Sequence, residues 1–94
     1  METHRFKYIE NDKYVLEVEF YNGIPFLHIE VMKWSPSVLK ELYKVFRSLK
    51  ESLIKLGCTQ MRTISPNPKF VKLFGGETIE YFRNAEVIKW DLKP

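Results

Sequence analysis

Hydrophobic and polar residues alternate from His4 to Ile9 and again from Tyr14 to Phe20, and a period of two marks a strand with one buried face. Glu10-Asn11-Asp12 separates the two runs, which therefore read as a hairpin closed by a three-residue loop. Asn22-Gly23 lies between Phe20-Tyr21 and Ile24-Pro25 and predicts a type I′ turn, because both central residues of that turn need positive φ. A third strand follows over Ile24 to Met32. The tight turn sets Leu16 opposite Ile29, Val18 opposite Leu27 and Glu17 opposite His28. The first hairpin loop in turn sets Phe6 against Leu16 and Arg5 against Glu17. The predicted sheet has one apolar face and one charged face, with Arg5, Glu17 and His28 in a row across three strands.

The period changes at Ser35-Pro36, where a serine able to cap free amides precedes a proline suited to the first helical position. Leu42, Val45, Phe46, Leu49, Leu53 and Leu56 then recur at three- and four-residue steps, with Lys40, Lys44, Arg47 and Glu51 on the opposite side, so an amphipathic helix runs from Pro36 to Gly57. Cys58 to Ile64 reads as a short strand. Ser65-Pro66-Asn67-Pro68 breaks it, and a brief helix over Lys69 to Phe74 is stopped by Gly75-Gly76. The strands Glu77 to Phe82 and Ala85 to Leu92, joined by Arg83-Asn84, complete the pattern.

At 94 residues the chain has room for one domain, and 45% hydrophobic with 15% aromatic residues is enough to fill its core, which excludes a disordered chain. A formal charge of +3 favours anionic partners only if it is gathered on one face. One cysteine, Cys58, excludes an intramolecular disulfide, and no Cys/His spacing matches a zinc site. Without an apolar leader or a membrane-length apolar run, the expected location is the cytoplasm, with no membrane partner.

The element order β-β-β-α-β-α-β-β, with a strand, a Pro-Asn break, a short helix and glycine at its end, resembles the core of the GNAT N-acetyltransferase superfamily over nearly the whole chain. The resemblance implies an α/β (α+β) fold: a mostly antiparallel six-stranded sheet with one long and one short helix. It implies that the N-terminus of the long helix holds the pyrophosphate of acetyl-CoA and that the strand after it, Cys58 to Ile64, splays away to admit the pantetheine arm. The opening helices of that family, which help form its acceptor site, have no counterpart before Phe6, so one sheet face is expected to be uncovered. Short chains of this kind, with Ser-Pro-Ser at the helix start, resemble bacteriophage proteins.

The departures from that pattern concern chemistry. Met32-Lys33-Trp34-Ser35-Pro36-Ser37-Val38 stands where the family has its glycine-bearing pyrophosphate loop and contains no glycine, and Pro36 removes an amide donor. The position at which many members carry a tyrosine general acid falls on Val71, and Gly76 stands where the family usually has Phe. The leading expectation is therefore a non-enzymatic, phage-type interaction protein that binds a host or virion protein, in host takeover or anti-defence, through Arg5, Glu17, His28 and Trp34, without a cofactor. The alternative is a minimal acetyl-CoA-dependent N-acetyltransferase acting on a protein amine. In it Glu30 or His28 takes the amine proton, while Met32, Trp34, Ser35, Ser37 and Asn67 contact the cofactor.

Blander roles compete at several of these residues. Glu30 and His28 are also what alternation puts on an open sheet face, and Ser35 and Ser37 suit an ordinary helix cap. Cys58 reads as a buried, inert thiol. Lys40, Lys44, Arg47 and Lys55 form a basic stripe interrupted by Glu41 and Glu51, which reads as a solvated face and disfavours nucleic acid. Trp34 and Trp90 suit core or interface anchors, an apolar patch of Trp34, Phe70 and Phe74 would suit self-association, and a homodimer is compatible with the open face.

Overall fold

A computed structural model describes residues 3–66 and 71–93. The elements are β1 (Thr3–Glu10), β2 (Tyr14–Tyr21), β3 (Ile24–Val31), α1 (Pro36–Lys55), β4 (Gln60–Ser65), β5 (Glu77–Phe82) and β6 (Ala85–Asp91). They form one six-stranded sheet in the order β1-β2-β3-β4-β6-β5. All neighbours are antiparallel except β3 and β4, whose parallel pairing requires the crossover that α1 supplies.

The second hairpin has the predicted register, with Leu16 opposite Ile29, Val18 opposite Leu27 and Glu17 opposite His28. Its turn has φ of 51° at Asn22 and 78° at Gly23, as a type I′ turn demands. The first hairpin differs from expectation. Phe6 pairs with Val18 and Arg5 with Glu19, two positions from the predicted partners, and a bulge between Lys7 and Ile9 absorbs the mismatch. The cause is the loop: Asn11 Oδ1 accepts from the N–H groups of Lys13 and Tyr14 at 2.9 and 3.0 Å and Asn11 N–H donates to Tyr14 O, so the turn closes on Asn11 and Tyr14 and the partners beside it slip by three. The bulge turns the slip of three beside the turn into a slip of two beyond it, which keeps side-chain parity, so the apolar face survives the error. At the bulge, Tyr8 is tied to α1 through a 2.9 Å hydrogen bond between its hydroxyl and that of Ser48.

One face of the sheet packs on α1, whose Val38, Leu42, Phe46, Leu49 and Leu53 are buried against Leu16, Val18, Leu27, Met61 and Ile88. Leu56, expected in that stripe, is instead 70% exposed, because the helix ends at Lys55 and Leu56 is its C-cap. Gly57 follows at φ 90° and donates to Ile54 O, while Cys58 N–H reaches back to Leu53 O, a Schellman closure. At the other end Ser35 Oγ accepts from Val38 N–H at 3.1 Å and Pro36 opens the helix, as predicted.

The brief second helix is not shown. Lys69 and Phe70, like Asn67, lie outside the described residues, and α1 is the one helix with defined bounds among those described, Val71 and Lys72 alone of the expected stretch being helical there. Val71 and Lys72 are followed by two tight turns, Phe74 N–H to Val71 O and Gly75 N–H to Lys72 O, both 3.0 Å. The fold is thus a small α+β domain with a mixed six-stranded sheet and one long helix, loosely GNAT-like in topology.

Candidate functional site

The sheet face away from α1 carries the residues that alternate out of the core: Val15, Glu17 and Glu19 on β2, Phe26, His28 and Glu30 on β3, Arg62 and Ile64 on β4. The predicted row of Arg5, Glu17 and His28 lies here. Arg5 Nε donates to Glu17 Oε2 at 2.9 Å across a diagonal rather than between opposite residues, and this bond holds the Glu17 carboxyl below its ordinary range. His28 Nε2 lies 2.9 Å from Glu19 Oε1, again a diagonal partner. Both pairs are half in solvent and orient the side chains more than they stabilise the fold.

Two shallow clefts flank His28. One, about 210 Å³, includes Arg5, Val15, Glu17, His28 and Glu30, so four of the residues singled out from sequence share one wall. The other, about 240 Å³, is lined by Glu19, Tyr21, Phe26, His28 and Ile64 and is mostly apolar. Tyr21 and Phe26 meet edge to face with centroids 6.3 Å apart, and Ile64 is 53% exposed at its base. Sequence reasoning missed this second cleft. The signal was available, since Ile64 is an isoleucine in phase with Gln60 and Arg62 on a strand whose Met61, Thr63 and Ser65 face inward.

The start of α1 behaves differently from a diphosphate loop. Met32 and Lys33 both donate their N–H groups to Lys13 O, at 2.7 and 3.2 Å, which ties this loop to the β1–β2 turn. Pro36 has no N–H, and Val38 N–H is spent on Ser35 Oγ, which also lies 3.0 Å from Ser37 Oγ. Within this loop Pro36 has no amide and those of Met32, Lys33 and Val38 are already bonded, which leaves an anion fewer donors than a glycine-bearing loop would offer. Beside it, β3 and β4 pair only through Phe26 and Leu27 with Arg62 and Thr63, and Thr63 Oγ1 donates to Leu27 O at 2.8 Å. The ladder between the two strands is confined to these two residue pairs.

Other singled-out residues separate from the open face. Met32 and Trp34, the latter 54% exposed, lie on the loop before α1 and line neither cleft. The expected apolar patch of Trp34, Phe70 and Phe74 does not form as such. Phe70 lies outside the described residues, and Phe74 is only 7% exposed because it stacks on Phe46 at 4.3 Å and its carbonyl takes the Trp90 indole N–H at 3.0 Å. Trp90 is a core residue, and so is Val71. Burial pushes the Cys58 thiol up, away from the thiolate a nucleophile needs. Among the described residues no group of three or more His, Cys, Asp or Glu side chains could hold a metal ion, and no helix is long and apolar enough to cross a membrane.

The fold and this face define a small mixed-sheet domain with one covered and one open side. No family model, no curated protein and no solved structure matches the chain.

Proposed function

We propose that this is a non-catalytic protein-binding domain whose open sheet face docks another protein, with His28 between the two clefts at the centre of the contact. The observation that carries the reading is the hydrogen-bonding of the Met32–Val38 segment. Three of its amides, those of Met32, Lys33 and Val38, are turned onto Lys13 O and Ser35 Oγ, and Pro36 supplies none. The open face offers what a protein partner needs instead: an apolar recess at Tyr21, Phe26 and Ile64, rimmed by the hydrogen-bonded Glu19 and His28, with the Arg5–Glu17 pair in the adjoining cleft. A host or virion protein is the partner that the phage-type resemblance implies.

A second reading, a minimal N-acetyltransferase, draws on the short two-pair ladder between β3 and β4, the strand pair where the GNAT-like resemblance puts the coenzyme wedge. One melting experiment separates the two. A ligand at about 100 times its dissociation constant adds ~2.7 kcal/mol, which at this chain length raises the melting temperature by roughly 10 °C or more. We expect no shift with millimolar acetyl-CoA, and a shift of that size would overturn the binding-domain reading. In the same preparation Ile64→Lys should melt within a few degrees of the wild type, as surface changes do, yet lose partner recovery from an extract of the native host. Equal recovery by wild type and variant would remove the open face from the proposal.

A further inference from the structure

Helix α1 contains Lys40, Lys44, Arg47, Lys50 and Lys55 against Glu41 and Glu51, a surplus of three that equals the whole formal charge of +3. The remaining ten basic residues of the chain are matched by ten acidic ones. The difference extends to pairing. On the sheet Arg5, Lys7 and Lys89 each meet a carboxylate within 3.2 Å, whereas none of the five α1 cations has an ion pair among the described residues. Lys40, Lys44, Arg47, Glu51 and Lys55 follow one another at three- and four-residue steps, directly opposite the buried stripe of Val38, Leu42, Leu49 and Leu53. The cations therefore point away from the sheet along one line.

Beside that line lies a cleft of about 260 Å³ formed by Tyr43, Phe46, Arg47, Lys50, Glu51 and Phe74. Its floor is aromatic and fixed. Phe46 stacks on Phe74, and Tyr43 tilts against Phe74 at 4.7 Å while its hydroxyl donates to Leu73 O at 3.1 Å. Arg47 and Lys50 stand at its rim.

We propose that the outer face of α1 docks an acidic polypeptide segment, its carboxylates on Lys40, Lys44, Arg47 and Lys50 and one apolar side chain in the Tyr43–Phe46–Phe74 cleft. Charge complementarity selects an anionic occupant, because the chain's net charge is gathered on this face and left uncompensated there. The details select a polypeptide over a nucleic acid. Glu51 interrupts the line between Arg47 and Lys55, which a continuous phosphate backbone would meet as repulsion and a peptide with spaced carboxylates can step over. The rings of Phe46 and Phe74 are engaged with one another, so they offer no free faces for stacking bases. This surface is on the opposite side of the molecule from the open sheet face and stands or falls independently of it.

The test uses the full chain and a fluorescein-labelled acidic peptide of Glu and Asp with a central Leu-Trp pair, followed by anisotropy at low salt. Saturable binding should weaken at least tenfold in the double reversal Arg47→Glu with Lys50→Glu, weaken with added salt, and tighten about two- to threefold in Glu51→Gln. A peptide with Ser-Ser in place of Leu-Trp should bind several-fold more weakly, and Tyr43→Ala should erase that difference. The reversal Lys7→Glu with Lys89→Glu on the sheet should leave binding unchanged. The proposal is overturned if the α1 reversal, shown by its melting curve to be folded, binds as the wild type does. Equal affinity for both peptides, or tighter binding of a single-stranded oligonucleotide of the same charge, also overturns it.

Discussion

Gly76 gives the sharpest quantitative test of the packing. Its backbone needs no left-handed conformation, so the requirement for glycine is one of space. A Cβ built there would lie 2.4 Å from Ile88 Cγ2 and 2.9 Å from Trp90 Cε2. Ordinary carbon contacts are about 3.5–4.0 Å, so the neighbours would have to retreat by about an ångström. Neither is free to do so. Ile88 is fully buried, and Trp90 is held by its indole bond to Phe74 O and by an edge contact with Phe46 at 5.6 Å. Overpacking of this kind costs about 1–3 kcal/mol, and the lower chain entropy of alanine in the unfolded state returns ~0.5 kcal/mol, so Gly76→Ala should lose about 1–2 kcal/mol. At this size that is a fall in melting temperature of roughly 5–15 °C. Ile88→Leu removes the offending Cγ2 at nearly constant volume, so Gly76→Ala with Ile88→Leu should be less destabilised than the two singles together by about 1 kcal/mol in urea melts. Strict additivity, or a Gly76→Ala melting curve within about 2 °C of the wild type, would refute the steric argument.

The N-cap of α1 is testable in the same assay: Ser35→Ala removes the acceptor for Val38 N–H and should cost about 1 kcal/mol, whereas Ser37→Ala, which touches no cap amide, should cost far less. Glu86 predicts an acid limb. Its carboxyl is held below its usual value first by the Thr78 hydroxyl at 2.6 Å and then by Lys72, so its stabilisation is present above the ordinary glutamate range and is lost as pH falls through the lowered folded value. Urea midpoints of wild type and Glu86→Gln should differ at neutral pH and converge in acid, and a constant difference across pH would contradict the assignment.

What the sequence made legible was whatever is decided locally. The Asn22-Gly23 turn, the Ser35-Pro36 helix start and the stop at Gly57 each depend on a few adjacent residues, and each stands where the pattern placed it. What escaped depended on side chains or carbonyls meeting from afar. The β1 register hinged on an Asn11 side chain choosing the amides of Lys13 and Tyr14, and the bulge at Tyr8 followed from it. Phe74 looked available for an outer patch because nothing local reveals that Phe46 and Trp90 close over it. The open-face cleft needed the parallel pairing of β3 with β4 to bring Ile64 beside Phe26 and His28.

The two ends of α1 locate where binding chemistry can reside. A helix offers ligands its unsatisfied terminal amides and carbonyls, and a GNAT-like coenzyme site depends on the N-terminal set. Here a serine cap and a proline close the N-terminus, and the Schellman bonds from Gly57 and Cys58 close the C-terminus. The loop ahead of the helix is likewise drawn onto Lys13 O, which lies within reach because β3 runs the full length of β2 and ends level with the first hairpin turn. With most of these backbone groups bonded internally, the recognition proposed above would rest on side chains along the flanks. The sheet presents paired charges around an apolar recess, and α1 presents unpaired cations beside an aromatic one. Paired charges leave the sheet's net field small and suit shape-selective contact. Unpaired cations steer an anionic partner from a distance, so added salt should weaken binding on the helix side and change binding on the sheet side little.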